Sequence, residues 1–172
     1  MNTKSILLIS IATVAADVAA DVAAAVAGET VFITANADDK FDLYLNTAQL
    51  TPDGGFGPWD ANDMFSVDAE IAHDAHHMLA MHAHDVYGGG WRASVAIDDV
   101  GTLRNDWKCT GHNPEDTAWT SFDFDDSHWV VAVDALDGFV SNTQGENFWA
   151  ADIPGEKGEV WCRYHGQGFD EH

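Results

Sequence analysis

Basic residues are scarce in this sequence. Its 172 residues include 7 lysines and arginines against 29 aspartates and glutamates, which leaves a formal net charge of −22 when histidine is neutral. A chain with this charge repels polyanions and anionic lipid surfaces, so we expect no nucleic-acid partner and no membrane insertion. The partners that remain are cations, basic surfaces and neutral ligands such as sugars.

Long apolar runs are also scarce, and the longest one stands at the N-terminus. The segment "SILLISIATVAA" follows the basic start "MNTK" and is too short to span a bilayer. The residues "AVA" at 25–27 have the form of a signal-peptidase site, although cleavage after Ala16 or Ala20 also fits, as does an alanine-rich helix. The sequence predicts a signal peptide over residues 1–27 and a single secreted, extracellular domain over residues 28–172.

Cysteine is limited to two residues, Cys109 and Cys162. In an oxidising compartment, two cysteines far apart in the sequence most simply form one disulfide. The chain-entropy model gives about 4 kcal/mol for closing a loop of this length. The alternative is a pair of reduced thiols in the core, and the spacing does not match a cysteine-based zinc site.

A helical period is missing from residues 28–99, where short alternating segments follow one another. The stretch "ETVFITANADDKFDLYLN" predicts two strands joined by a tight turn, and "MFSVDAEI", "HHMLAMHAHDV", "WRASVAIDD", "WKCT" and "GEVWCRYHG" predict further strands. Seven tryptophans and nine phenylalanines supply material for a core. We therefore predict an all-β fold, an antiparallel, jelly-roll-like β-sandwich.

Several of these segments, in this order, resemble the galactose-binding-domain-like β-sandwich found as an accessory, carbohydrate-binding module of secreted glycosidases. "ITANADDKFDLYLN" is similar to the opening hairpin of that family, and "AWTSFDFDDSHW" is similar to the segment before its closing strand. The resemblance covers residues 29–166 and departs from the family pattern at Thr47, where a glycine is usual. It implies a fold more firmly than a ligand, because this fold serves many ligands.

Histidines are concentrated in "HDAHHMLAMHAHD", residues 73–85, which holds five of the nine. If this segment is a strand, His82 and His84 project from the same face about 7 Å apart. The pair is a candidate transition-metal site if a neighbouring strand supplies a third ligand. The alternatives are a solvent-facing strand edge whose histidines reduce the negative field, and a group that responds to pH.

Acidic residues form two local clusters. Asp38 and Asp39 stand in the first predicted turn and are candidate Ca²⁺ ligands, with a solvated turn as the alternative. In "FDFDDSHW", we expect the carboxylates to accept turn hydrogen bonds and Trp129 to pack into the core.

Exposed aromatic residues that could contact a sugar are predicted at one place. Tyr87 and Trp91 flank three glycines and are the candidate ligand-binding residues, whereas the other tryptophans are expected to pack in the core.

Catalytic motifs are absent from the sequence: it contains no G-x-S-x-G, H-E-x-x-H, Walker or Rossmann pattern, and we assign no catalytic residue. The sequence predicts a secreted, non-catalytic carbohydrate-binding protein of the cell surface or extracellular matrix, whose partner is a carbohydrate or glycoprotein. A self-associating structural matrix protein and an acidic protein that binds divalent cations are the alternatives. Glycoside hydrolysis also stays open, because carboxylates are abundant.

Overall fold

A computed structural model of the chain describes residues 29–52, 55, 64–71, 77–85, 92–98, 100–134, 145–151 and 158–165. The predicted signal segment over residues 1–27 and the candidate ligand-binding residues Tyr87 and Trp91 lie outside these ranges.

The chain divides into two compact units. The larger comprises residues 31–69 and 76–172. The smaller comprises residues 1–30 and 70–75, and its described part is limited to the ends of two strands, where Thr30 Oγ1 donates a 2.8 Å hydrogen bond to Glu70 Oε1. Apart from these strand ends, the sheets described below belong to the larger unit.

The described residues form ten strands. They are β1 (Glu29–Ala37), β2 (Lys40–Leu45), β3 (Ala48–Gln49), β4 (Phe65–Ile71), β5 (Leu79–Asp85), β6 (Ala93–Ile97), β7 (Val100–Gly101), β8 (Trp107–Thr110), β9 (Val130–Val131) and β10 (Gly158–Tyr164). Two short 3₁₀ helices, Arg104–Asp106 and Thr117–Thr120, lie between the later strands. Each longer strand coincides with one of the alternating segments of the sequence, which confirms the all-β prediction.

The strands form two antiparallel sheets. One has four strands in the order β4-β1-β6-β7, and the other has six in the order β3-β2-β5-β10-β8-β9. The rings of Phe41 and Phe65 meet edge to face across the two sheets, with centroids 6.2 Å apart. Phe148 pairs with Ala93 of the smaller sheet and stacks on Trp107 of the larger, at 4.3 Å. These aromatic contacts join the sheets into the predicted sandwich.

The disulfide prediction is confirmed. Cys109 of β8 lies directly opposite Cys162 of β10, and the two are bonded in the fully buried part of the six-stranded sheet. The bond links β10, the last strand of the described chain, to β8 within the sheet. Among the described residues, the structure has no helix that is both long and apolar enough to cross a membrane.

Two local expectations are wrong. The strands on either side of Asp38 and Asp39 do not form a hairpin, because β1 pairs with β6 and β2 pairs with β5, in different sheets. The turn therefore carries the chain from one layer of the sandwich to the other. The alternative that the histidines stand at an edge is also wrong, because β5 lies inside the six-stranded sheet with β2 on one side and β10 on the other.

Candidate ligand-binding face

The register of three strands gathers polar side chains on the outer face of the six-stranded sheet. Asp42 of β2 and Trp161 of β10 both lie opposite His82, and Glu159 of β10 lies opposite His84. Opposite residues share a face, and so do residues two apart on one strand. His82 and His84 therefore lie on one face, as the sequence predicts, and neighbouring strands add two carboxylates and an indole to them.

We call Gln49, Asp42, His82, Glu159 and His84 the polar ladder, because their side chains follow one another across the sheet. Gln49 Nε2 donates a 3.0 Å hydrogen bond to Asp42 Oδ1, and Asp42 Oδ2 lies 3.9 Å from His82 Nδ1. On the other side of the ring, His82 Nε2 lies 3.4 Å from Glu159 Oε2. Glu159 Oε1 is 3.7 Å from His84 Nε2. The three carboxylate–imidazole distances exceed those of a good hydrogen bond, so these groups are near one another but loosely bonded.

The ladder is accessible to solvent to different degrees along its length. The side chains of Glu159 and His84 are each 40% exposed, whereas those of His82 and Asp42 are 25% and 23% exposed. A ligand at this face would therefore meet the Glu159 carboxylate and the His84 ring first, with the other two groups deeper in the surface.

The imidazole of His82 is held by a neighbouring indole. The rings of His82 and Trp161 are stacked, with centroids 4.6 Å apart and planes within 8°. Burial lowers the pKa of His82, although Glu159 and Asp42 act in the opposite direction. The ring is thus fixed in position and favours its neutral form, in which one nitrogen donates a hydrogen bond and the other accepts one.

An aromatic cluster lies beside the polar ladder on one side. Its buried members are Ala80, Trp119, Trp129 and Trp161, with the partly buried Tyr44 and Phe124 packed against them. Trp161 belongs both to this cluster and to the stack with His82. The segment around the second 3₁₀ helix therefore covers one end of the outer face, while the ladder stays accessible beside it.

Arg163 binds the segment around the second 3₁₀ helix, which we call the covering segment, to the sheet. Its side chain is 1% exposed, and its guanidinium donates to the carbonyl oxygens of Ser121 and Phe124, at 2.7 and 2.9 Å. It also forms an ion pair with the buried carboxylate of Asp126.

Two further basic side chains contact the Asp126 carboxylate. Lys108 Nζ lies 3.1 Å from Oδ1, and His165 Nε2 lies 2.6 Å from Oδ2. Burial raises the pKa of Asp126, but the hydrogen bond from Lys108 and the charges of Arg163 and His165 outweigh burial and lower it below its usual range. The buried Trp129 confirms the expected packing of "DDSHW", and Asp125 accepts the expected turn hydrogen bond from Ser127 N, whereas the Asp126 carboxylate contacts side chains instead.

Asp38 and Asp39 occupy the turn between the two sheets. Asp38 N donates a 3.1 Å hydrogen bond to the carbonyl of Arg92, and Asp39 N donates one of the same length to the carbonyl of His84. Burial and the neighbouring Asp39 carboxylate raise the pKa of Asp38 to about 6, against a weaker opposing effect of Arg92. The turn thus holds two carboxylates that repel each other, near the end of the strand that carries the histidines.

Metal coordination is not preformed in the described part of the chain, where no group of three or more histidine, cysteine, aspartate or glutamate side chains is arranged to hold an ion. The calcium prediction for Asp38 and Asp39 and the transition-metal prediction for His82 and His84 stay predictions.

The tryptophans that fall within the described ranges do not offer a flat exposed ring to a sugar. Those residues, Trp107, Trp119, Trp129, Trp149 and Trp161, are all buried, as the sequence analysis expects. The prediction that Tyr87 and Trp91 bind a ligand concerns residues outside those ranges and stays a prediction.

Sequence reasoning missed Asp42 and Glu159 as members of the candidate site. Each stands at an alternating position of a predicted strand, so both were expected to project from a sheet. What the sequence did not contain was the pairing of β5 with both β2 and β10, which brings them to His82.

Comparison of the chain with protein-family models, with curated proteins and with solved structures finds no match. The likeness to galactose-binding-domain-like sandwiches therefore stays a prediction from the sequence.

Proposed function

We propose that this protein is a secreted, non-catalytic carbohydrate-binding protein and that the polar ladder is its sugar-binding face. The observation that carries the proposal is the loose bonding of its carboxylates. Glu159 has both oxygens near imidazole nitrogens, but at 3.4 and 3.7 Å, and Asp42 Oδ2 is 3.9 Å from the nearest one. Hydroxyl groups of a ligand can approach these oxygens and make the shorter bonds that the protein itself does not make.

The chemistry of the ladder suits a polyhydroxylated ligand. Carboxylates accept hydrogen bonds from sugar hydroxyls, and a neutral imidazole both donates and accepts, so alternating groups can engage neighbouring hydroxyls of one ring. Because His82 is held against Trp161, little side-chain entropy is lost at this position when a ligand binds.

Secretion is supported by two features of the chain. The Cys109–Cys162 disulfide is typical of proteins that fold in an oxidising compartment. The N-terminal apolar segment, followed by small residues, has the pattern of a signal peptide.

The proposal is tested with an array of neutral and charged glycans, followed by calorimetry on the best binder. We expect Glu159→Gln and His82→Ala to weaken binding at least tenfold. Asp68→Asn, which removes one charge from an exposed position of β4, should change binding less than twofold.

Failure of the purified protein to bind any glycan on the array would overturn the proposal. Equal effects of Glu159→Gln and Asp68→Asn would show that the ladder is not the binding face. Hydrolysis of the bound oligosaccharide would contradict its non-catalytic part.

A further inference from the structure

The charge of the ladder distinguishes among the sugars that it could bind. Its two carboxylates lie on opposite sides of the His82 ring, one near each ring nitrogen. Resting on the proposed function, we propose that the preferred ligand is an amino sugar with a free ammonium group, such as a β-1,4-linked oligomer of glucosamine.

Few positive charges face these carboxylates in the described part of the chain. Lys40 lies opposite His84 and so shares the face, but none of the ion pairs found in the described chain joins it to Asp42 or Glu159. The histidines are the nearest bases of the ladder, and burial holds the pKa of His82 down. When the His82 ring is neutral, it contributes no positive charge towards Asp42 and Glu159, the two carboxylates on either side of it.

An ammonium group binds the carboxylates of the ladder more strongly than a hydroxyl group does. It carries three donors and a full positive charge, and hydrogen bonds between charged partners are about twice as strong as neutral ones. Glu159 is the most exposed carboxylate of the ladder and is accessible to an ammonium group, while a hydroxyl of the same or the next sugar can reach Asp42.

The same charges disfavour other sugars. Uronic acids and sulfated sugars are negatively charged, so the two carboxylates of the ladder and a chain whose net charge is −22 repel them. An N-acetylated amino sugar keeps the ring and the linkage but loses the ammonium group. Comparison of the free and acetylated forms therefore isolates the contribution of the charge.

The test uses three oligosaccharides of equal length and linkage: glucosamine, N-acetylglucosamine and glucose oligomers. Binding is measured by calorimetry on the wild-type chain at pH 6 and fixed ionic strength. We expect the glucosamine oligomer to bind at least tenfold more tightly than the other two. In Glu159→Gln and in Asp42→Asn this preference should fall to threefold or less, whereas Asp68→Asn should retain it.

Each alternative result has a distinct meaning. Equal binding of the three oligomers would overturn this inference and leave the proposed function intact. Absence of binding by all three, and by the glycan array, would overturn the proposed function itself. A preference for glucosamine that survives both ladder substitutions as it survives Asp68→Asn would reflect general attraction to an acidic protein, and would also overturn the inference.

Discussion

Arg163 shows how one buried charge can be accommodated in this fold. Transfer of a guanidinium from water to the interior costs several kcal/mol unless its donors are bonded and its charge is paired. Here the two terminal nitrogens pair with Asp126 and donate to backbone carbonyls of the covering segment, and the guanidinium lies 5.3 Å from the centre of the Phe124 ring, while the buried Nε has no hydrogen-bond partner among the described residues. One residue of β10 thus holds the segment that bounds the polar ladder.

Replacement of Arg163 should strongly destabilise the fold. In Arg163→Met, the Asp126 carboxylate loses its buried partner and the carbonyls of Ser121 and Phe124 lose their donor. We expect a loss of about 3–5 kcal/mol in the free energy of unfolding, measured by urea denaturation. The matched control is Arg104→Met, which breaks a pair between the half-buried Arg104 and the exposed Asp134 and should cost less than about 1 kcal/mol. Equal losses in the two variants would contradict the anchoring role.

The turn residue Asp38 leads to a prediction about pH. Burial and the Asp39 carboxylate raise its pKa from 3.8 to about 6. Between these two values the folded state binds more protons than the unfolded state, so Asp38 makes stability fall as pH rises through this range. Asp38→Asn should therefore raise the melting temperature at pH 7 relative to wild type, and the gain should disappear near pH 3.

The control for this prediction is Asp68→Asn, which removes one negative charge from an exposed position of β4. At pH 7 it should stabilise the protein less than Asp38→Asn does, because it relieves general repulsion alone. An identical gain in both variants at pH 7 would show that the environment of Asp38 is unimportant for stability.

At the scale of the element, the strands could be predicted from the sequence but their partners could not. Alternation in "KFDLYL" and "LAMHAHD" indicates which side chains share a face, and the structure places Phe41 and Leu43 in the core and Asp42 towards solvent. Alternation carries no information about which strand lies alongside. For this reason the turn at Asp38 was predicted as a hairpin, although it joins two sheets.

The candidate site likewise has one part that could be predicted from the sequence and one part that could not. That His82 and His84 share a face follows from their spacing along one strand, and the structure agrees. Asp42 and Glu159 come from positions far away in the sequence, and only the register of β2 and β10 against β5 brings them to the histidines. In the "DDSHW" segment, the buried Trp129 and the turn bond at Asp125 are local features that the sequence predicts, whereas the contacts of Asp126 with Arg163 and His165 depend on the position of β10.

At the scale of the whole molecule, charge is the dominant property. A net charge of −22 on a folded chain of this size produces repulsion among its own carboxylates, and compaction brings them closer together. Part of this repulsion is concentrated where two carboxylates adjoin, as at Asp38 and Asp39, where burial first and the Asp39 charge second raise the pKa of Asp38. A cation that binds the folded state at such a place should stabilise the fold by mass action.

We therefore expect millimolar calcium to raise the melting temperature above that in sodium chloride of equal ionic strength. The matched salt is needed because monovalent ions also screen repulsion, with a Debye length of about 8 Å at 0.15 M. If the Asp38–Asp39 turn supplies the ligands, Asp39→Asn should remove the calcium-specific gain, and Asp68→Asn should retain it. A gain with zinc but not calcium, lost in His82→Ala with His84→Ala, would instead place the bound cation at the histidines of the ladder. If neither ion exceeds the salt control, the carboxylates of the turn act as a solvated surface, and the burial and repulsion that together raise the pKa of Asp38 favour its protonation rather than the binding of a metal ion.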